Sequence, residues 1–130
     1  MNSFISDLHI HSRFSMATSK QLTVPHLCGW AMVKGINVLG TGDFTHPKWR
    51  QELRDNLVFD EETGFYRPTA APEPVFPDLA SSPARPPYFC LQTEISSIYK
   101  RGGKVRKVHN LVFMPTLEDA DRFSEKLGQI

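Results

Sequence analysis

Six of the histidines and acidic residues of this 130-residue chain stand out as candidates to hold divalent cations: His9, His11, Asp43, His46, Glu94 and His109. The first two fall in Asp7-Leu8-His9-Ile10-His11-Ser12, whose polar and apolar residues alternate with the period of a β-strand that has two unlike faces. On such a strand Asp7, His9 and His11 share one face, and Leu8 and Ile10 point towards packing helices. At a rise of about 3.3 Å per residue, imidazoles two positions apart start about 7 Å from each other and converge on one cation beyond the strand end. Asp43, Glu94 and His109 each sit at or near the end of a separate predicted strand, where α/β folds place their chemistry. An imidazole-rich set assisted by carboxylates favours zinc, with manganese, iron or magnesium as the alternatives. His26, on the first turn of a predicted helix, is read as structural.

The elements that must position these residues follow from pattern. Thr23 as N-cap, Pro25 in the first turn, Val24, Leu27, Cys28 and Ala31 at helical spacing and Gly35 as the stop predict a helix. A short buried strand over 36–40 follows, so the order is strand, helix, strand, a parallel βαβ unit. That strand runs into Thr41-Gly42-Asp43-Phe44-Thr45-His46-Pro47, where Thr45 or His46 caps a second helix striped by Trp49, Leu53 and Leu57. A small hairpin is predicted over 58–66. The segment 67–87 holds seven of the ten prolines and predicts an irregular, PPII-like surface insertion with room for disorder. Tyr88 to Ile95 returns to strand character, with Glu94 near its end. Gly102-Gly103 predicts a hairpin turn amid Lys100, Arg101, Lys104, Arg106 and Lys107, leading into a strand over 108–113. Thr116 caps a last helix that packs through Leu117, Ala120, Phe123 and Leu127.

Composition sets outer bounds. A chain of 130 residues with 40% hydrophobic content supports one domain and one core. Fifteen basic and fourteen acidic residues leave a net charge of +1, so only local clustering can argue for a polyanionic partner. Cys28 and Cys90 lie in apolar predicted elements without CxxC spacing, which reads as reduced thiols and a cytoplasmic setting. No apolar run approaches the roughly 20 residues that span a bilayer.

The motifs together resemble those of the PHP (polymerase and histidinol phosphatase) metallophosphoesterases: Asp7-Leu8-His9-Ile10-His11-Ser12, Thr41-Gly42-Asp43, Glu94 and Val108-His109-Asn110-Leu111. Within that family, three stretches are similar to the endonuclease Q subgroup, whose bacterial members are often labelled UvrD-type helicases. They are His11-Ser12-Arg13-Phe14-Ser15, Gly42 to Trp49, and Thr93-Glu94-Ile95-Ser96 with Tyr99 to Val105. The resemblance implies an α/β fold, the N-terminal part of a distorted seven-stranded β/α barrel, with 1–130 as the N-terminal portion of that domain. It implies metal-dependent phosphodiester cleavage beside deaminated bases in DNA, with His9 and His11 on one metal and Glu94 bridging to a second held by His109. Asp43 or His46 would serve a third. Two positions depart from the family pattern: Phe44 stands where a histidine is common, leaving His46 as the substitute, and Met16-Ala17 replace an aspartate.

Lys100, Arg101, Lys104, Arg106 and Lys107 supply the expected DNA contacts. The other readings are a small-molecule phosphatase of the same family and a non-catalytic, helicase-associated nucleic-acid-binding module. A partial barrel leaves a sheet edge open, so homodimerisation through that edge is expected, as is poor activity of this chain by itself.

Overall fold

The computed structural model describes residues 3–78 and 83–130. Among them are six strands and three helices in the order β1 (Ser6–Asp7), α1 (Val24–Lys34), β2 (Val38–Gly40), α2 (Pro47–Asn56), β3 (Leu57–Phe59), β4 (Tyr66–Pro68), β5 (Tyr88–Arg101), β6 (Lys104–Met114) and α3 (Leu117–Gly128). The strands form one mixed sheet ordered β1-β2-β5-β4-β3, with β6 also paired to β5. β1, β2 and the start of β5 run parallel, whereas β3, β4 and β6 join antiparallel. The βαβ unit expected around α1 is therefore present. Among the described residues no helix is long and apolar enough to cross a membrane.

The helices form where spacing places them, although the N-caps Thr23 and His46 make no side-chain capping hydrogen bond and only Thr116 does. Val24, Leu27, Cys28 and Ala31 all enter the core from α1, and Gly35 ends the helix in the left-handed region at φ 72°. Trp49 and Leu53 of α2 and Leu57 of β3 are buried as one stripe, and Ala120 brings α3 onto the same core. Thr116 caps α3 by accepting the Asp119 N–H at 3.2 Å. A bidentate tie holds α3 to α2: Arg50 Nε and Arg54 donate to the two oxygens of Asp121 at 2.7 and 2.6 Å. The predicted small hairpin is β3–β4, its turn built by Asp60, whose carboxylate accepts from Glu62 N–H and the Thr63 hydroxyl.

Two expectations change. The first strand ends at Asp7, so His9 and His11 are carried on a loop and not on alternate positions of a pleat. The cause is competition for backbone donors: the Ile10 N–H goes to Gln92 Oε1 and the Ser12 N–H to Asp43 Oδ2, which draws the chain off the ladder. Next, Glu94 lies in the middle of its strand. β5 continues to Arg101 because Gly102 and Gly103, at φ 61° and 72°, satisfy a two-residue turn that lets it pair continuously with β6 from Leu91↔Met114 to Arg101↔Lys104.

The proline-rich segment is irregular as expected in its described parts, yet 73–76 forms a fixed strap over α1. The Glu73 N–H donates to the Pro25 carbonyl at 2.9 Å, and Phe76 meets Trp30 edge-on at 5.5 Å. Residues 79–82 of that segment lie outside the described residues. Gly29 is the contact that permits the strap, because a Cβ there would overlap the Glu73 carbonyl oxygen and touch both Val75 methyls. Gly29→Ala should therefore destabilise the chain by about 1–2 kcal/mol, overpacking outweighing a helix-propensity gain of about 1 kcal/mol. Urea denaturation reads this directly, and unchanged or raised stability would show that the strap yields freely.

Candidate metal centre

Glu94 is the centre of the site. Its Oε2 lies 2.6 Å from His9 Nε2 and 3.3 Å from His11 Nε2, and its Oε1 is hydrogen-bonded by His109 Nδ1. One donor atom each from His9, His11 and Glu94 falls within 4.8 Å of the others, a spacing that one cation can bridge. The three imidazoles are half-exposed while the carboxylate is largely covered, so the acid forms the floor and the histidines the rim. Hydrogen bonds from His9 first and then His109 outweigh partial desolvation and hold the Glu94 carboxyl below the usual range. As an acceptor-only anion it requires each facing ring nitrogen to carry a proton when no cation intervenes. Metal entry would displace those protons. The donor set of imidazole nitrogens around a carboxylate fits a divalent ion of the zinc, manganese or iron type.

His109 reaches this place from the antiparallel β6, one ladder step from Glu94, and not from the rim shared by parallel strands. The pairs Glu94↔Leu111 and Ser96↔His109 put both side chains on one face of the ribbon, and the Ser96 hydroxyl lies 3.0 Å from His109 Nδ1.

Asp43 sits one step behind the rim. It occupies φ 44° next to Gly42 at φ 67°, and a Cβ on Gly42 would be 2.7 Å from the Ile10 carbonyl oxygen, so this turn admits only glycine before it. The strained turn points Asp43 at the first loop. Its Oδ2 accepts from the Ser12 N–H at 2.6 Å, the Ser12 hydroxyl at 2.8 Å and the Ser15 hydroxyl at 2.7 Å, and its Oδ1 lies 3.2 Å from His11 Nδ1. Burial pushes this carboxyl up, but the bonds from Ser15, Ser12 and His11 together outweigh it and keep the pKa below the ordinary value. Asp43 thus orients His11 through the ring nitrogen that does not face Glu94, as a carboxylate behind a metal-binding histidine does.

His46 is placed elsewhere. It is the N-cap of α2 and stacks on Phe14 with ring centroids 4.4 Å apart; its main-chain N–H donates to the Asp43 carbonyl at 2.9 Å, but its Nδ1 is buried with no hydrogen-bond partner and its ring makes no bond to Glu94 or Asp43 among the described residues. Phe44 is wholly buried and packs edge-on to Phe123 at 5.9 Å. His26 has a local partner, with Nδ1 2.9 Å from the Thr23 hydroxyl. Lys100, Arg101, Lys104, Arg106 and Lys107 are exposed around the tip of the β5–β6 ribbon, and none has an ion-pair partner among the described residues.

Two positioning residues were not anticipated from sequence. Gln92 is fully buried, and its Oε1 accepts the Ile10 N–H at 3.3 Å and the Gly42 N–H at 3.2 Å, joining the loop of His9 and His11 to the loop of Asp43. A polar amide inside Phe89-Cys90-Leu91-Gln92-Thr93 was the available signal. Trp49 is the other: its Nε1–H donates to the Thr41 and Gly42 carbonyls at 3.2 and 2.9 Å, bracing the turn from below.

No family model matches the chain. Over 48 residues it is 50% identical to an uncharacterized protein of Methanocaldococcus jannaschii, a stretch that makes up 37% of this chain and 6% of that protein. Its fold is similar to the crystal structure of the lesion-specific endonuclease PfuEndoQ from Pyrococcus furiosus, with a TM-score of 0.66 and 29% identity over 95% of this chain. The same values relate it to endonuclease Q in complex with a 27-mer duplex substrate that has an abasic lesion at the active site. In both cases the chain spans 25% of the length of the solved structure. The chain is thus similar in fold and sequence to one part of a DNA endonuclease.

Calorimetric titration with Zn²⁺ should detect binding that Glu94→Ala abolishes. Asp43→Asn should weaken it about 10–100-fold, as loss of a carboxylate behind a ligating histidine does. Affinity should fall as pH is lowered, since ring nitrogens must shed protons to bind. Parent-like titrations for both variants would mean that the cluster is a hydrogen-bonded surface group and no metal centre.

Proposed function

We propose that this chain is the N-terminal portion of a PHP-type, metal-dependent DNA endonuclease of the endonuclease Q kind, cutting DNA beside deaminated bases. The observation that carries the reading is the convergence of His9, His11 and His109 on both oxygens of Glu94 in a fold 29% identical to a lesion-specific endonuclease. On this reading His9, His11, Glu94 and His109 would hold the cations, with Glu94 shared by the two sets of histidines, and the barrel of the family would continue from the edges of the sheet. Divalent ions so held supply an activated water and stabilise the attacking and leaving oxygens of a phosphodiester.

The chain's own residues then have separable roles. Glu94 sets the spacing between the two halves of the cluster through its two oxygens. Asp43 holds the His11 ring in one orientation, with Ser12 and Ser15 fixing the carboxylate in turn. Lys100 and Lys107, on the ribbon face that carries Glu94 and His109, bring the DNA backbone towards the site. His46 stands behind Phe14 as the candidate for a further ligand, reached only if that stacking opens. An open apolar cavity of about 560 Å³, lined by Leu8, Val38, Phe89, Leu91 and Phe113, fits the interior that further barrel strands would cover, and a second copy of the chain can cover it in their place.

Four protein ligands are few for a multinuclear centre, so the chain alone should bind metal weakly and cleave poorly. The check is nicking of uracil- or hypoxanthine-containing duplexes with manganese, magnesium or zinc, comparing this chain with a version extended to supply more ligands. Cleavage by the extended form should be lost in His9→Ala. Release of phosphate from small monoesters without any nicking would favour the phosphatase reading in its place.

A further inference from the structure

The β5–β6 ladder divides the five cations of the ribbon between two faces. Side chains alternate along a continuous ladder, so Lys100 and Lys107 stand with Glu94 and His109, whereas Arg101, Lys104 and Arg106 stand on the opposite face. Tyr99 belongs to that opposite face too. It lies directly across from Arg106, and Arg101 lies directly across from Lys104, so the four side chains form one compact patch. Tyr99 is 45% exposed, and no ring, cation or carboxylate covers the patch among the described residues. Between Glu94 and Glu118 the sequence contains no acidic residue, so nothing local neutralises it.

Such an arrangement calls for an occupant. A two-stranded ribbon with both faces in water is marginal by itself, and on the Tyr99 face this one also leaves Val108, across from Ser97, exposed. An aromatic ring flanked by guanidinium and ammonium groups is the chemistry that binds unpaired bases by stacking and their phosphates by charge. A paired base would keep its π-face inside the duplex, out of reach of Tyr99.

We infer that this outward face of the ribbon is a binding site for single-stranded nucleic acid, one base stacking on Tyr99 and the adjoining phosphates meeting Arg101, Lys104 and Arg106. The inference builds on the proposed DNA endonuclease, in which the strand to be cut lies along the other face with Lys100 and Lys107. The ribbon would then hold two segments of nucleic acid apart, one on each side.

The test is fluorescence anisotropy of the full chain with labelled oligodeoxythymidylate in chelator, so that neither metal nor cleavage is involved. Tyr99→Ala should weaken binding about tenfold with an unchanged salt slope, and Tyr99→Phe should bind like the parent. Replacing Arg101, Lys104 and Arg106 by Ala should flatten the salt slope by about 2, at roughly 0.7 per phosphate contact on a single strand. Thermal unfolding of each variant controls for folding. Parent-like binding by Tyr99→Ala, or competition by polyglutamate as effective as that by the oligonucleotide, would overturn the inference. Binding lost only on replacing Lys100 and Lys107 would also overturn it while leaving the endonuclease reading intact. Binding as expected without any nicking by an extended chain would sink that reading and support this site.

Discussion

The side chain of Gln92 joins everything that gives this molecule a site. Its carboxamide oxygen takes two backbone N–H groups, from Ile10 and Gly42, that belong to different loops and would otherwise be buried without partners. Both partners are donors, so the amide orientation is set by the network. The same residue is held through its main chain, where the Thr41 hydroxyl accepts the Gln92 N–H at 3.1 Å. Two residues along β5, Glu94 receives the histidines that the first of those loops delivers. A buried polar network of this kind positions the elements it joins because moving the acceptor oxygen would leave two further N–H groups without a bond, even though Gln92 Nε2 is itself buried with no hydrogen-bond partner among the described residues. Glycine at position 40 is part of the arrangement, since a Cβ there would lie 2.9 Å from Gln92 Oε1.

Around that clip the molecule separates stability from chemistry. The apolar residues of α1, α2 and α3 bury one side of the sheet and carry no candidate ligand, whereas every residue of the cluster comes from a loop or from the ribbon beyond the packed core. The loops are irregular but not loose: Asp43, Ser12, Ser15, Gln92 and the Trp49 indole close their backbone donors and acceptors. This is how a site built mostly of exposed imidazoles keeps its geometry before any cation is present. The pKa directions agree with that picture, since both Asp43 and Glu94 are held as anions by donors that reach them from neighbouring segments.

Similarity to endonuclease Q extends over 95% of the chain but only 25% of the solved structure, so the comparison speaks for this segment's architecture and leaves the activity of a longer protein as a proposal. What the chain itself contributes is a covered carboxylate with histidines on both of its oxygens, and a ribbon whose cations make no ion pair among the described residues.

Periodicity and local chemistry alone determined the helices, their caps, the parallel βαβ unit and the Gly102-Gly103 turn, because these depend on residues a few positions apart. The types of the candidate ligands were legible for the same reason: imidazoles amid apolar strands, and an aspartate after a glycine turn. Tertiary structure decided what joined them. Alternation predicted that the pleat of the first strand would present His9 and His11, but side chains from 31 and 82 positions away capture the Ser12 and Ile10 N–H groups and turn that stretch into a loop. Glu94 was expected near a strand end and stands mid-strand, since its ladder depends on pairing with β6 and not on its own residues. The role of Gln92, the place of His46 behind Phe14 and the division of the basic residues between two faces all rest on register and long-range hydrogen bonds. Spacing along the chain carries no record of those, because each depends on which distant donor competes successfully for the same backbone group.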